Sequence, residues 1–185
     1  MSRIPTREEA WTLLNEYNRE PFHLFHAQVV EGVMRWFSEA SGEDPDFWGV
    51  VGLLHDLDFE LFPEEHCVKE QEILRAHDID ERIVHAVASH GYLCSEADAV
   101  PEHPMEKTLY AVDELTGLIG AVARMRPSGN VSDLELKSVM KKYKTLNFAA
   151  GCSREVIQRG AEMMGISLEE LIQKTILAMR TVPGC

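Results

Sequence analysis

Residues 44–58 read DPDFWGVVGLLHDLD, and the unbroken apolar run inside that stretch, from Phe47 to Leu54, decides the fold. Asp44-Pro45 is a helix start, because the Asp oxygen can accept an early backbone N–H and Pro lacks an N–H that the first turn leaves unpaired in any case. A helix that is apolar all round has to be buried on every side. The run falls far short of the roughly 20 residues that a membrane span needs. It is therefore the central helix of a globular domain, and it ends in His55-Asp56-Leu57-Asp58.

Helices are expected on both sides of it. Thr6-Arg7-Glu8-Glu9 is a capping box ahead of Trp11, Leu13 and Leu14, which predicts a first helix to about Asn18. Pro21 suits a first helical position, and Phe22, His26, Val29, Val30, Val33 and Phe37 follow at helical spacing up to Ser41-Gly42. Downstream, Pro63 leads into a fourth helix through His66, Val68, Ile73 and Leu74, and Asp80 caps a fifth that stops at His90-Gly91. A polar loop at 95–104 precedes a long helix from Met105 to about Arg124, broken by RPSGN at 126–130. Ser132-x-x-Glu135 and Ser167-x-x-Glu170 read as capping boxes of helices through Tyr143 and about Met179, with another helix from about Ser153 to Met164. No segment alternates with period two for long enough to make a strand, so the expected fold is all-α.

The 185 residues suit one domain by the prior of roughly 100 to 200 residues per domain. We expect a core at about 22–118, with a C-terminal helical extension at 131–185 packed on it and covering the site. Acidic residues number 31 against 18 basic ones, and the formal charge of -13 would repel a nucleic-acid backbone. Such a chain can still act on small phosphate esters if bound cations invert the field inside one cleft. The cysteines Cys67, Cys94, Cys152 and Cys185 form no C-x-x-C pair, and MSRIPTREEA carries no secretory pattern. Free thiols in a reducing, cytoplasmic setting are the expectation, without a membrane partner.

The chemistry-bearing residues stand in apolar company. His26 shares a helix face with Val29, Val30 and Val33; His55 and Asp56 close the most hydrophobic helix; Asp113 lies between Val112 and Leu115. Singly, each has a structural explanation, as a satisfied core histidine or a carboxylate paired with a Lys or Arg. Together they offer two imidazoles and two carboxylates, a full donor set for a divalent transition metal.

This order, H…HD…D, seen in HAQVVEGV, GLLHDLDF and YAVDELTG, resembles the HD superfamily of metal-dependent phosphohydrolases, over about half of the chain from Phe22 to Leu118. The run REVIQRGAEMMGISLEELI also looks like the tails of small bacterial members with unassigned substrates. The resemblance implies an HD-type helical bundle in which His26, His55, Asp56 and Asp113 hold one metal. Members of the two-metal branch add two histidines, matched here by His66 and His90, with Asp56 bridging the ions. It further implies iron, manganese, cobalt, nickel or zinc at one or two ions, magnesium being admissible, and a metal-bound hydroxide that attacks a small phosphorylated substrate, a phosphomonoester or nucleotide. The same six ligands serve di-iron oxygenases related to this superfamily, and a non-catalytic signalling or scaffold module is a third alternative.

Where many relatives place Gly two residues after the Asp of the pair, this chain has Asp58, read either as an acceptor that orients an imidazole or metal-bound water, with a catalytic part, or as a solvated carboxylate. Lys69, Arg75, Arg82 and Lys107 are near the ligands in sequence, and Lys107, on the helix of Asp113, is the first choice for phosphate contact. His85 ranks below His90 as a ligand and is expected in the core or behind the ligands, while His23, His77 and His103 are expected at the surface. A homodimer is left open.

Overall fold

The computed structural model describes residues 2–185, and among them every regular element is helical. In chain order they are α1 (Arg7–Tyr17), α2 (Pro21–Ser41), α3 (Pro45–Leu54), α4 (Lys69–Ala76), α5 (Glu81–Ser89), α6 (Pro104–Arg124), α7 (Leu136–Tyr143), α8 (Arg154–Met164) and α9 (Leu168–Met179), with a short 3-10 turn at Pro63–Glu65. One isolated bridge, Arg3 to Ile79, ties the N-terminal segment to the turn before α5.

The local signals explain most of the boundaries. Thr6 and Glu9 close a reciprocal capping box at α1, and Asp44 accepts from the N–H groups of Asp46 and Phe47 at the start of α3. Gly42 ends α2 in the left-handed region at φ 73°, where glycine has no Cβ penalty. α6 has a cap that composition did not announce: the His103 ring accepts from Met105 N–H while Glu106 reaches back to the His103 backbone.

Two expected starts differ. α4 begins at Lys69, so His66 stands outside it, because His66 is extended and Cys67 takes a left-handed conformation at φ 67°. The Ser132–Glu135 box does not form: α7 starts at Leu136 with Glu135 as its cap, and Ser132 turns its hydroxyl to Asn130 instead.

Val50, Val51, Leu53 and Leu54 of α3 are buried, as an all-apolar helix demands. All nine helices feed one hydrophobic cluster that runs from Ala10 to Val182, and the helices after residue 131 contribute Val139, Ile157, Ala161, Leu171, Ile172 and Ile176 to it. Two close crossings set the distances that matter for the site. A Cβ on Gly52 would stand 2.9 Å from the Val30 carbonyl oxygen, so α3 lies directly against α2. A Cβ on Gly160 would stand 2.4 Å from Ala111 Cα, which brings α8 onto α6 two residues before Asp113.

Candidate metal centre

α2, α3, α5 and α6 each present a side chain to one point, and the segment between α3 and α4 supplies the rest. His26 comes from α2 and Asp113 from α6; His55 caps the C-terminus of α3 with Asp56 directly after it; His90 caps the C-terminus of α5; His66 follows the 3-10 turn. Two helices thus point their negative ends at the site, which favours bound cations.

The donor atoms fall into two sets. In the first, His26 Nε2 lies 3.0 Å from Asp113 Oδ1 and 3.2 Å from His55 Nε2, and His55 Nε2 lies 3.3 Å from Asp113 Oδ1 and from Asp56 Oδ2. In the second, His66 Nε2 and His90 Nε2 are 3.2 Å apart, and each is 3.5 Å from Asp56 Oδ1. Asp56 therefore turns one oxygen to each set. For metal–ligand bonds of about 2.1 Å, the edge between neighbouring ligand atoms is about 3.0 Å in an octahedron and about 3.4 Å in a tetrahedron. The observed separations are of that size.

The tautomers make the fit stricter. His55 Nδ1–H donates to the Gly52 carbonyl at 2.8 Å, and His90 Nδ1–H donates to the Val87 carbonyl, the same device at the end of two helices. His66 Nδ1–H donates to Asp58 Oδ1 at 2.8 Å. Each neutral ring then carries a bare lone pair on Nε2, and in the second set two such lone pairs face each other at 3.2 Å. Only a positive charge between them makes that arrangement favourable, so the residues present fit a cation.

Without a metal, protons carry that charge. Burial opposes ionisation of His55, yet the Asp56 and Asp113 carboxylates override it and hold its pKa up at about 10. Burial likewise opposes the charge on His66, and the hydrogen bond to Asp58 raises it to about 10. His90 is raised well above its ordinary value against its own burial, chiefly by the Cys67 sulfur, and Asp56 and Asp113 lie below the ordinary carboxylate range because the neighbouring imidazoles outweigh burial.

Asp58 is fully buried behind His66. Its second oxygen accepts from Glu70 N–H at 2.9 Å, so it locks His66 to the first turn of α4 and makes no contact with the cavity in front of the ligands. It holds an imidazole in place and is not on the cavity wall, which agrees with the orienting reading of Asp58 and not with a solvated carboxylate. Cys67 lies close by, with Sγ at 3.6 Å from His90 Nε2 and 4.0 Å from Nδ1. A sulfur so nearly equidistant from both ring nitrogens lies beside the ring, off the Nε2 lone-pair axis, and is a neighbour rather than a ligand. Glu70 is buried with neither carboxyl oxygen hydrogen-bonded, and burial raises its pKa well above the ordinary value.

Five of the six donor residues, His26, Asp56, His66, His90 and Asp113, open onto a cavity of about 460 Å³, and His55 is fully buried and not on its wall. Phe22, Phe59 and Val156 form its apolar walls, and Glu114, Cys94 and Cys152 are also exposed to it. No Lys or Arg is among its lining residues. Lys107, expected to contact phosphate, lines a separate groove with Trp36, Phe37 and Lys174. Six residues at 100° each put it about 240° around α6 from Asp113, and the rise along the axis does not compensate. Lys69, Arg75 and Arg82 pair with Glu72, Glu81 and Asp80 on the surface.

His85 is neither in the core nor behind a ligand: it is exposed and bonded to Glu106 at 2.8 Å. His23, expected at the surface, lies on the cavity wall, while His103 is exposed and His77 half-buried at the end of α4. No family model matches the chain, and no solved structure matches it.

Proposed function

We propose that the protein is a metal-dependent hydrolase of a small phosphate ester, built as an HD-type bundle. The observation that carries this reading is Asp56, whose two oxygens serve two separate nitrogen clusters and so define adjacent positions for two divalent ions. His26, His55, Asp113 and Asp56 would hold one ion, and His66, His90 and Asp56 the other. Imidazole and carboxylate donors suit iron, manganese, cobalt, nickel or zinc better than calcium. Such ions, when bound, supply hydroxide at neutral pH and neutralise charge on the phosphoryl group. The chain itself fixes the ligand tautomers and offers a walled space of the size that small-molecule sites have.

With no Lys or Arg on the wall, the charge that attracts a phosphate has to come from the ions. The six ligand-capable side chains all converge, which speaks against a scaffold module that has lost its chemistry. Elemental analysis of purified protein, paired with a screen of phosphomonoesters and nucleotides under manganese, cobalt, iron and magnesium, tests the reading. One to two ions per chain with phosphate release are expected. Turnover that needs iron and dioxygen would move the assignment to the oxygenases, and a folded chain that takes up no metal would end both.

A further inference from the structure

Apart from the metal-site histidines, the cavity wall carries one imidazole, His23. It lies one turn before His26 on α2, about 4.5 Å along the axis. Its Nδ1 is 3.2 Å from Glu60 Oε2, and that oxygen is itself fixed by the N–H groups of Arg19 at 2.9 Å and Glu20 at 3.1 Å. Facing a carboxylate, Nδ1 has to be the protonated nitrogen, which leaves Nε2 as the ring atom for the cavity. Phe22 and Phe59 meet the ring edge to face, at centroid distances of 5.9 and 5.4 Å, and Phe59 meets His66 in the same way at 5.1 Å. The ring is thus held by a carboxylate at Nδ1 and by contacts with two aromatic rings, one of which also packs on His66.

We propose that His23, oriented by Glu60, is the catalytic acid for the leaving group of the hydrolysis; this rests on the phosphohydrolase reading above. In its imidazolium form both ring nitrogens carry protons, Nδ1–H to Glu60 and Nε2–H to the substrate. As the bond between phosphorus and the ester oxygen breaks, the electron pair stays on that oxygen and the Nε2 proton moves to it, releasing the alcohol. The new bond to phosphorus is made by an oxygen that comes from water, and the proton that this water gives up restores His23 through the solvent. Ester plus water becomes alcohol plus phosphate, with no other reactant. Glu60 is a positioning residue. The competing donor on the wall is Glu114, beside Asp113.

The test compares wild type with His23→Gln, Glu60→Gln and Glu114→Gln, each loaded with manganese and analysed for metal. kcat and KM are measured for 4-nitrophenyl phosphate, whose leaving group needs no acid, and for an alkyl phosphate, whose leaving group does. With metal content unchanged, His23→Gln should lose about 100-fold or more in kcat on the alkyl ester, and at least tenfold less on the nitrophenyl ester. Glu60→Gln, which keeps the imidazole in place, should show the same preference on a smaller scale in kcat rather than KM. Equal losses on the two esters, no loss, or a leaving-group-dependent loss in Glu114→Gln instead would overturn the proposal. Wild type without turnover on any phosphate ester would refute the hydrolase reading itself and take the proposal with it.

Discussion

Replacing Asp58 by Asn removes one charge without changing the outline of the side chain. Asp58 accepts two hydrogen bonds, from His66 Nδ1 at 2.8 Å and from Glu70 N–H at 2.9 Å, and it is fully buried. Asn can accept at one oxygen only, so its NH2 group has to face either the His66 ring or the α4 backbone, donor against donor. The bond to His66 is charge-assisted in the metal-free protein, and such bonds contribute about 1.5–3 kcal/mol. With an ion on Nε2, the carboxylate behind Nδ1 raises ligand basicity, and losing such a partner costs about 10–100-fold in metal affinity. That is about 1.4–2.7 kcal/mol.

In the proposed site His66 would serve the second ion alone, so the loss should fall on that ion. Titration of metal-free Asp58→Asn against a competing chelator should show one site unchanged and the other weakened by about 10–100-fold. Helical content should match wild type. Equal weakening at both sites would mean that Asp58 acts through the general field of the cluster, and unchanged affinity at both would mean that the bond to His66 has no consequence for the metal; either result refutes the reasoning.

Asp56→Ala should release both ions and abolish turnover while helical content is retained, because each ion loses a carboxylate oxygen and the two positive charges lose the group between them; activity equal to wild type would show that the bridge is not used. Metal-free protein should lose stability as pH rises from about 6.5 to about 10, since His55 and His66 hold their protons up to about 10 when folded. A raised folded pKa contributes fully below the unfolded value and vanishes above the folded one, at a slope of about 1.4 kcal/mol per pH unit for each proton. Cys67, which His90 draws down to about 6 against its burial, works the other way, but it is one group against His55, His66 and His90. Denaturant unfolding with a chelator present at several pH values checks this, and stability that rises over that window contradicts it. Glu70→Met should raise metal-free stability by about 1–3 kcal/mol by removing an unpaired buried carboxyl; a loss measured by the same unfolding would show that the carboxyl has a partner after all.

The all-α fold was legible because its signals are local. Phe47 to Leu54 could only be a buried helix, and Thr6, Asp44, Asp80 and Ser167 cap helices where their side chains predicted it. The errors arose where a local pattern competed with a tertiary one. His66 has helical spacing to Ile73, yet a left-handed Cys67 ends that register and frees His66 from α4. Lys107 looked close to Asp113 along the chain and is turned away from it around the helix. Glu70, fully buried, sits among charged residues in KEQEIL, and nothing in that hexapeptide says that its side chain faces inward. The Glu60–His23 pair spans 37 residues, a distance over which no periodicity carries information.

The segment that follows the HD pair is tied down by its own side chains. After His55-Asp56, a glycine two residues on would leave the turn without side-chain ties, whereas Asp58, Phe59 and Glu60 each fasten a different part of the site. Asp58 joins His66 to α4, Phe59 packs edge to face on His66 and His23, and Glu60 takes the first backbone N–H groups ahead of α2 together with the His23 ring. Two candidate metal ligands, His55 and Asp56, and three residues that orient other site groups therefore lie within six consecutive positions. Shifting the segment relative to α2 would move His23 and His26, which share that helix, against His55. A glycine inserted after Asp56 should accordingly weaken both ions together, unlike Asp58→Asn, and lower the melting temperature of the metal-loaded protein toward that of the metal-free form, because stabilisation by a ligand follows its affinity. Two ions bound with wild-type affinity in the insertion variant would show that the ligands are placed by the helices alone and that these three side chains have no share in it.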